Sequence, residues 1–283
     1  METKVRTIAE VIEPQPVVEG AGVRLKRSIG TRTLDHVDPF LLLDDFTSKN
    51  PADYQAGFPL HPHRGIETVT YLLSGAVRHK DTLGNAGEIG AGDVQWMTAG
   101  RGIMHEEMPQ ARPEGIVGFQ LWVNLPAKLK MTAPRYQNIS ANEISKIHRD
   151  GGVTISVIAG NVDGVTGPVR GIAVEPTYLD VTLASHGLFL HPIPRGHATF
   201  VYLFEGAVGV GDEKGTSVAA PRLIVLEDED GVEVRSAGSP ARFLLVSGKP
   251  LNEPIARYGP FVMNTQAEIE QTLRELQAGT FIR

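Results

Sequence analysis

The chain has 283 residues, of which 41% are hydrophobic and 21% charged, and its net charge of −6 is not concentrated in any block. These values indicate a globular protein with room for two domains or one large all-β unit, and they argue against disorder and against direct nucleic-acid binding by charge. Because the chain has no cysteine, disulfides, thiolate nucleophiles and zinc-finger ligation are excluded, and any metal must be held by imidazole and carboxylate groups.

The sequence shows no export or membrane signal. The first residues, METKVRTIAEVIEP, lack the apolar segment of a signal peptide, and no run of about 18 apolar residues occurs. We therefore expect a cytoplasmic protein with no membrane association. The lack of cysteine is compatible with a reducing compartment.

Short runs rich in Val, Ile, Leu, Phe and Tyr, separated by 31 glycines and 19 prolines, predict an antiparallel sandwich or barrel. In the first half, strands are predicted at 23–29, 40–43, 66–73, 76–81, 94–98, 103–108 and 117–124. In the second half, strands are predicted at 153–159, 179–183, 198–204, 223–226, 232–235 and 243–246.

One helix is predicted near the end of the chain. Thr265 and Glu268 have the spacing of a capping box, which marks a helix start. Ile269 and Leu273 continue on one face, and Gly279 is a plausible stop.

An internal repeat indicates two copies of one fold. TVTYLLSGAVRHKD at 68–81 aligns without gaps on TFVYLFEGAVGVGD at 199–212, with seven identical residues in fourteen at an offset of 131. The polar stretch 138–152 lies between the copies. We therefore predict domains at 1–138 and 139–283, the second including the helix.

Two pairs of metal-ligand residues occur in the first half. His61 and His63 are two residues apart at a strand entry, so the pleat directs both imidazoles to one side. His105 and Glu107 repeat this spacing, and two such pairs on neighbouring strands can converge. Imidazole and carboxylate ligands suit first-row metals, and this set leaves coordination positions open for water or substrate. A lone histidine on a strand is more often a packed or surface residue, but two pairs in matching phase favour a metal site.

The repeat provides an internal comparison for this prediction. At the offset of 131, His61 and His63 correspond to Pro192 and Pro194, so the second half lacks the pair. His191 and His197 flank that stretch out of phase and are predicted to be ordinary surface residues.

Further polar residues share strand faces with these pairs. Glu67 has the strand parity of His63, so it could be a ligand, a base beside the ligands, or a hydrogen-bonded pocket carboxylate, and we favour the base. Gln120, Trp122 and Asn124 share one face of a predicted strand, where ordinary packing competes with a role in a pocket.

Four segments, FPLHPHRGIETVTYLLSG, GDVQWMTAGRGIMHEEMP, FQLWVNLP and YGPFVMNT, together resemble the pirin family over nearly the whole chain. The resemblance implies an all-β fold of two tandem cupin-type (jelly-roll) barrels with a C-terminal helix. It also implies a metal site in the N-terminal barrel and a metal-free C-terminal barrel. The implied iron ligands are His61, His63, His105 and Glu107.

A more general cupin pattern is also visible, in which Glu67 would be the carboxylate ligand. The choice of Glu107 over Glu67 rests on the closer resemblance to pirins. The implied cofactor is one divalent metal, Fe(II), although such ligands also accept Mn, Co, Ni, Cu or Zn.

The resemblance implies a quercetin 2,3-dioxygenase, which opens a flavonol ring with O2 and releases carbon monoxide. Glu107 or Glu67 would accept the proton of the substrate hydroxyl. An alternative is a non-enzymatic, metal- or redox-sensing protein that binds a transcription factor or a metabolic enzyme. A third possibility is another cupin-type reaction, such as sugar isomerisation, because a fold does not determine its chemistry.

Overall fold

The computed structural model describes residues 4–211 and 217–282. Within these residues the fold is almost entirely antiparallel β-structure, with 26 strands, three short 3₁₀ helices and one α-helix. Asp212, the last residue of the second repeat copy, lies outside the described residues. No helix in the described ranges is long and apolar enough to cross a membrane.

The strands of the first half are β1 (Ile8–Ile12), β2 (Gln15–Glu19), β3 (Val23–Ile29), β4 (Phe40–Asp45), β5 (Phe58–His63), β6 (Ile66–Ser74), β7 (Ala76–Asp81), β8 (Ala86–Ile89), β9 (Val94–Thr98), β10 (Ile103–Gln110), β11 (Val117–Asn124) and β12 (Arg135–Ile139). Those of the second half are β13 (Ser145–Arg149), β14 (Val153–Ala159), β15 (Asn161–Val162), β16 (Val165–Thr166), β17 (Thr177–Leu183), β18 (Leu188–Pro192), β19 (Ala198–Glu205), β20 (Ala207–Val210), β21 (Val218–Ala219), β22 (Arg222–Leu226), β23 (Gly231–Ser236), β24 (Ala241–Gly248), β25 (Ala256–Tyr258) and β26 (Phe261–Met263). The helices are α1 (Gln266–Gln277) and the 3₁₀ turns Pro51–Asp53, Ala127–Leu129 and Ala141–Glu143.

The chain forms two compact units, here called the N-terminal unit (15–141 and 251–282) and the C-terminal unit (4–14 and 142–250). The N-terminal unit has a seven-stranded sheet, β12-β9-β6-β11-β4-β3-β2, and a four-stranded sheet, β5-β10-β7-β8. The C-terminal unit repeats this plan with β1-β22-β19-β24-β17-β14-β13 and β18-β23-β20-β21. Each unit is therefore a cupin-type jelly roll, and the all-β, two-barrel prediction is confirmed.

The central hairpin of each barrel explains the repeat seen in the sequence. β6 and β7 meet at Gly75, and β19 and β20 meet at Gly206, both with positive φ angles (+88° and +80°). A side chain at Gly206 would come within 2.3 Å of the Pro240 carbonyl oxygen, so both conformation and space require glycine. The strands on either side bury apolar residues, and in the C-terminal unit these form one continuous core.

The predicted strands all appear, several with identical bounds, because their hydrophobic patterns match a pleated sheet. The capping box is also present: Thr265 Oγ1 accepts from the Glu268 N–H, and the Glu268 carboxylate accepts from the Thr265 N–H. Helix α1 ends before Gly279, which has a φ of +68°.

The compact units do not follow a linear division at 138/139. β1 pairs with β22, so the start of the chain belongs to the C-terminal unit, whereas α1 and the strands before it belong to the N-terminal unit. The physical reason is that each seven-stranded sheet has an equivalent edge position. In the N-terminal unit β12 fills it beside β9, and in the C-terminal unit β1 fills it beside β22. The polar stretch 138–152 contains the end of β12 and all of β13.

Two buried cations fasten the segment 251–282 to the turn after β5. Arg64 is 2% exposed; it forms a salt bridge to Glu275 (2.8 Å) and donates to Thr272 Oγ1 (3.1 Å) and to the Arg101 carbonyl (2.6 Å). A buried charge requires such partners, because desolvation is otherwise costly. The helix is therefore joined to the turn by a charged network as well as by apolar packing.

Lys130 is the second of these cations. Its Nζ donates to the carbonyls of Gly65 (2.9 Å) and Val262 (2.8 Å) and to Asn124 Oδ1 (2.5 Å). These bonds use all three protons of the ammonium group. Burial lowers the pKa of Lys130 to about 7, although the negative charges of Glu253 and Glu268 act to raise it.

We predict that Arg64→Met lowers the free energy of unfolding by about 3 kcal/mol, because it leaves the Glu275 carboxylate buried without its cation. Urea unfolding of the full chain measures the change. Arg78→Ala is the control: Arg78 pairs with Glu88 at 3.3 Å, but its side chain is 68% exposed, so about 0.5 kcal/mol or less is expected. Equal losses in the two variants would contradict the anchoring role of Arg64.

Candidate metal site

Strands β5 and β10 bring the three predicted histidines together. In this antiparallel pair His105 lies directly opposite His61, and Ile103 lies opposite His63. Alternation along β5 places His61 and His63 on the same face. The register therefore directs all three imidazoles into the barrel.

The ligand atoms of His61, His63 and His105 all lie within 4.8 Å of one another. The Nε2 atoms of His61 and His63 are 3.1 Å apart. Two nitrogens bound to one metal at about 2.0–2.1 Å and near a right angle are about 3 Å apart, so this spacing fits shared coordination. His61 Nδ1 donates to the Pro59 carbonyl at 2.9 Å, which leaves the Nε2 lone pair available.

The buried imidazoles are held in their neutral form. Burial lowers the pKa of His63 and of His105 well below the ordinary histidine value, and the neighbouring imidazoles lower both further. Neither ring nitrogen of His105 has a hydrogen-bond partner among the described residues. Neutral, buried nitrogens with free lone pairs are what a metal ion requires, so this cluster fits a single metal ion.

Glu107 lies beside the cluster but outside its tightest part. Its Oε2 is 4.0 Å from His105 Nε2, and its Oε1 accepts a hydrogen bond of 3.0 Å from Thr70. Burial raises the pKa of Glu107, while His61 and the Thr70 hydroxyl act in the opposite direction. Glu107 is therefore a candidate for the fourth ligand or for a base.

Glu67 has a different environment. Its carboxylate accepts hydrogen bonds from Trp96 Nε1 (3.1 Å) and Thr98 Oγ1 (2.7 Å) on β9. Burial raises its pKa, and these two donors oppose the increase. Glu67 is absent from the described lining of the cavity beside the histidines, so its geometry favours a structural role.

His61 and His63 line a cavity of about 580 Å³. Most of the lining is apolar or aromatic, including Phe46, Phe58 and Trp122, and Glu107 and Gln120 also face it. Trp122 meets the His63 ring edge to face at 5.1 Å. Such a cavity, with a few convergent polar groups, is typical of a small-molecule site.

Charged groups lie at one side of the cavity. Arg27 donates from Nε and Nη2 to the two oxygens of Asp44 (2.7 Å each) and from Nη1 to Glu19 (2.8 Å). Burial raises the pKa of Asp44 to about 6 although Arg27 opposes the shift. The guanidinium of Arg257 lies 5.2 Å from the centre of the Trp122 ring, as a cation–π contact.

The strand register shows what occupies the same positions in the C-terminal unit. Glu107 pairs with His79, and the repeat makes Val210 the counterpart of His79, since it lies 131 positions later. Val210 pairs with Val234, so Val234 is the counterpart of Glu107. Continuing along the ladder, Val232 pairs with His191 as His105 pairs with His61. The counterparts of His61, His63, His105 and Glu107 are thus His191, Ile193, Val232 and Val234.

This register corrects one prediction. The gapless alignment made Pro192 the equivalent of His61. The strand pairing shifts this equivalence by one residue, so the equivalent of His61 is His191, which is in phase rather than out of phase. His191 and His197 are both buried, so the prediction of two surface residues is wrong. The other three counterparts are aliphatic, and among the described residues of this unit no cluster of three ligating side chains forms.

Sequence reasoning missed several residues that line the cavity. Thr70 lies on a strand that is buried on both faces, where alternation gives no signal. Arg257 lies about 190 positions after His63 in the chain, so no local spacing connects them. Gln120 and Trp122 do line the cavity, whereas Asn124 accepts from Lys130 instead.

The chain matches known proteins over almost its full length. The family model for pirin matches residues 22–123, and that for the pirin C-terminal cupin domain matches 178–282. A Pseudomonas aeruginosa protein that is provisionally named a quercetin 2,3-dioxygenase is 46% identical over 98% of both chains. Human pirin is 44% identical over 92% of this chain and 88% of its own.

A solved structure supports the same relationship. The crystal structure of a quercetin 2,3-dioxygenase from Acinetobacter baumannii covers 98% of this chain and 98% of its own, with 36% identity and a TM-score of 0.88. Together with the two jelly rolls and the histidine cluster, these matches establish the family. The chain belongs to the pirin family.

Proposed function

We propose that this protein is a metal-dependent dioxygenase that cleaves flavonols such as quercetin with O2. The observation that carries the proposal is the cluster of three imidazoles, His61, His63 and His105, beside a largely apolar cavity of about 580 Å³. The proposed metal is Fe(II). The proposed ligands are His61, His63, His105 and Glu107.

The residues of the cavity match the chemistry of a flavonol. When bound, the metal supplies Lewis acidity that lowers the pKa of a substrate hydroxyl. Glu107 faces the cavity, and we assign it the acceptance of that proton. Trp122 and Phe58 provide flat apolar surfaces against which the rings can pack.

Two relatives support the proposal: the Acinetobacter protein is named quercetin 2,3-dioxygenase, and the Pseudomonas protein carries that name provisionally. A non-enzymatic, metal- or redox-sensing partner of a transcription factor or metabolic enzyme is the alternative. That role would use an exposed surface and would give the cavity no function. For this reason we rank it second.

We predict that the protein binds one metal ion per chain and that His61→Ala or His105→Ala raises the Kd for it more than about a hundredfold, because each variant removes a ligand. Elemental analysis and chelator competition measure stoichiometry and affinity. His191→Ala is the matched control, since His191 is the counterpart of His61 in the other barrel. An equal loss of affinity in that control would place the metal elsewhere.

We also predict that the Fe(II)-loaded protein consumes O2, bleaches quercetin and releases carbon monoxide. Glu107→Gln is expected to lower kcat by about a hundredfold or more, as for loss of a general base. Glu67→Gln should cause a much smaller loss, because Glu67 is not part of the cavity lining. An oxygen electrode and the flavonol absorbance measure both. A larger loss in Glu67→Gln would assign the proton to Glu67.

A further inference from the structure

The hydroxyl of Thr70 lies between two other residues of the cavity. Its Oγ1 is 3.0 Å from Glu107 Oε1 and 2.7 Å from Gln120 Oε1. All three side chains line the cavity, and Thr70 and Glu107 are buried. Among the described residues, Thr70 is the group of the seven-stranded sheet that donates a hydrogen bond to the Glu107 carboxylate.

The number of available protons determines the direction of these bonds. The Thr70 hydroxyl has one proton, and an ionised carboxylate can only accept. A hydrogen bond to a charged acceptor is about twice as strong as one to a neutral acceptor, so Thr70 donates to Glu107. A half-turn of the Gln120 amide exchanges its oxygen and nitrogen, so that its NH2 donates to Thr70 and both contacts are satisfied.

The topology makes this chain of bonds a link between sheets. Thr70 on β6 is directly opposite Gln120 on β11, within the seven-stranded sheet. Glu107 is on β10, in the four-stranded sheet that also carries the histidines. The Thr70–Glu107 hydrogen bond therefore crosses the barrel interior and connects a candidate ligand on one sheet to the Thr70–Gln120 pair on the other.

We infer that Thr70 and Gln120 are positioning residues for Glu107: Gln120 orients the Thr70 hydroxyl, and Thr70 holds Oε1 of Glu107. This leaves Oε2, 4.0 Å from His105 Nε2, as the single carboxylate oxygen directed towards the histidines. The inference rests on the proposed function, because it concerns how the carboxylate of that site is set.

The chain contains a matched control for this inference. Thr98 on β9 is as buried as Thr70 and donates to the buried carboxylate of Glu67 at 2.7 Å. Neither Thr98 nor Glu67 is in the described lining of the cavity. Thr98→Val therefore removes the same kind of bond from the same sheet, with a similar effect on stability but no effect on Glu107.

The experiment measures the Kd for Co²⁺ by chelator competition and the visible spectrum of the bound ion, which responds to its coordination. We expect Thr70→Val to raise the Kd by about tenfold to a hundredfold and to alter the spectrum, as for the loss of a partner that orients a ligand. Thr70→Ser should restore both. Thr98→Val should leave the Kd and the spectrum as in the wild type.

A double-mutant cycle tests the role of Gln120. Gln120→Leu should raise the Kd when Thr70 is present and have no further effect in the Thr70→Val background, because it acts through the Thr70 hydroxyl. An equal effect in both backgrounds overturns the inference that Gln120 acts through Thr70. A Thr70→Val protein with the same Kd and spectrum as Thr98→Val also overturns the inference. If Thr70→Val does not fold, Gln120→Leu decides alone: an unchanged Kd and spectrum overturn the inference.

The wild-type measurement separates the two proposals. A wild-type protein that does not bind Co²⁺ overturns the metal site of the proposed function, and the inference with it. A wild-type protein that binds Co²⁺ with an affinity unaffected by Thr70→Val retains the metal site and overturns only the inference.

Discussion

The buried charges of Arg64 and Lys130 fix the turn that joins β5 to β6, and the candidate site depends on this turn. Arg64 directly follows His63, and Lys130 donates to the carbonyl of Gly65. Both cations also bond to the segment 251–282, through Glu275 and Val262. Because a buried cation that loses a partner destabilises its surroundings, these contacts restrict where the histidine strand can lie. The placement of the histidine strand thus depends on residues outside the candidate site.

The two barrels show that one strand arrangement can carry different side chains at the ligand positions. Their sheets have the same strand order, and their central hairpins turn at equivalent glycines. At the ligand positions the difference lies in the side chains: Ile193, Val232 and Val234 stand where the N-terminal unit has His63, His105 and Glu107. Aliphatic side chains fill the same space without polar atoms, so the second barrel keeps its packed core. His191 alone remains of the ligand set, buried among these residues.

Local sequence patterns were sufficient for thirteen of the 26 strands in the described residues, for the capping box and for the phase of the two ligand pairs, because each depends on neighbours within a few residues. They did not predict β5, the strand that carries His61 and His63. They were insufficient for the pairing of β1 with β22, since strand pairing over 200 residues leaves no local mark. The setting of Glu67 depends on the neighbouring strand β9, and the contact of Thr70 with Glu107 depends on two sheets that meet only in three dimensions. The phase of His191 was missed because a gapless offset cannot follow a one-residue change of register.

The assignment of the last part of the chain to the N-terminal unit has a consequence for biosynthesis. A ribosome releases residues 15–141 well before 251–282, so the histidine strand is made long before Val262 and Glu275, the partners of the cations that follow it. The C-terminal unit has the opposite order, because β1 is made first and must remain available until β22 appears. Neither barrel can therefore be completed during translation before most of the chain exists, and a nascent or prematurely terminated chain lacks an anchored site.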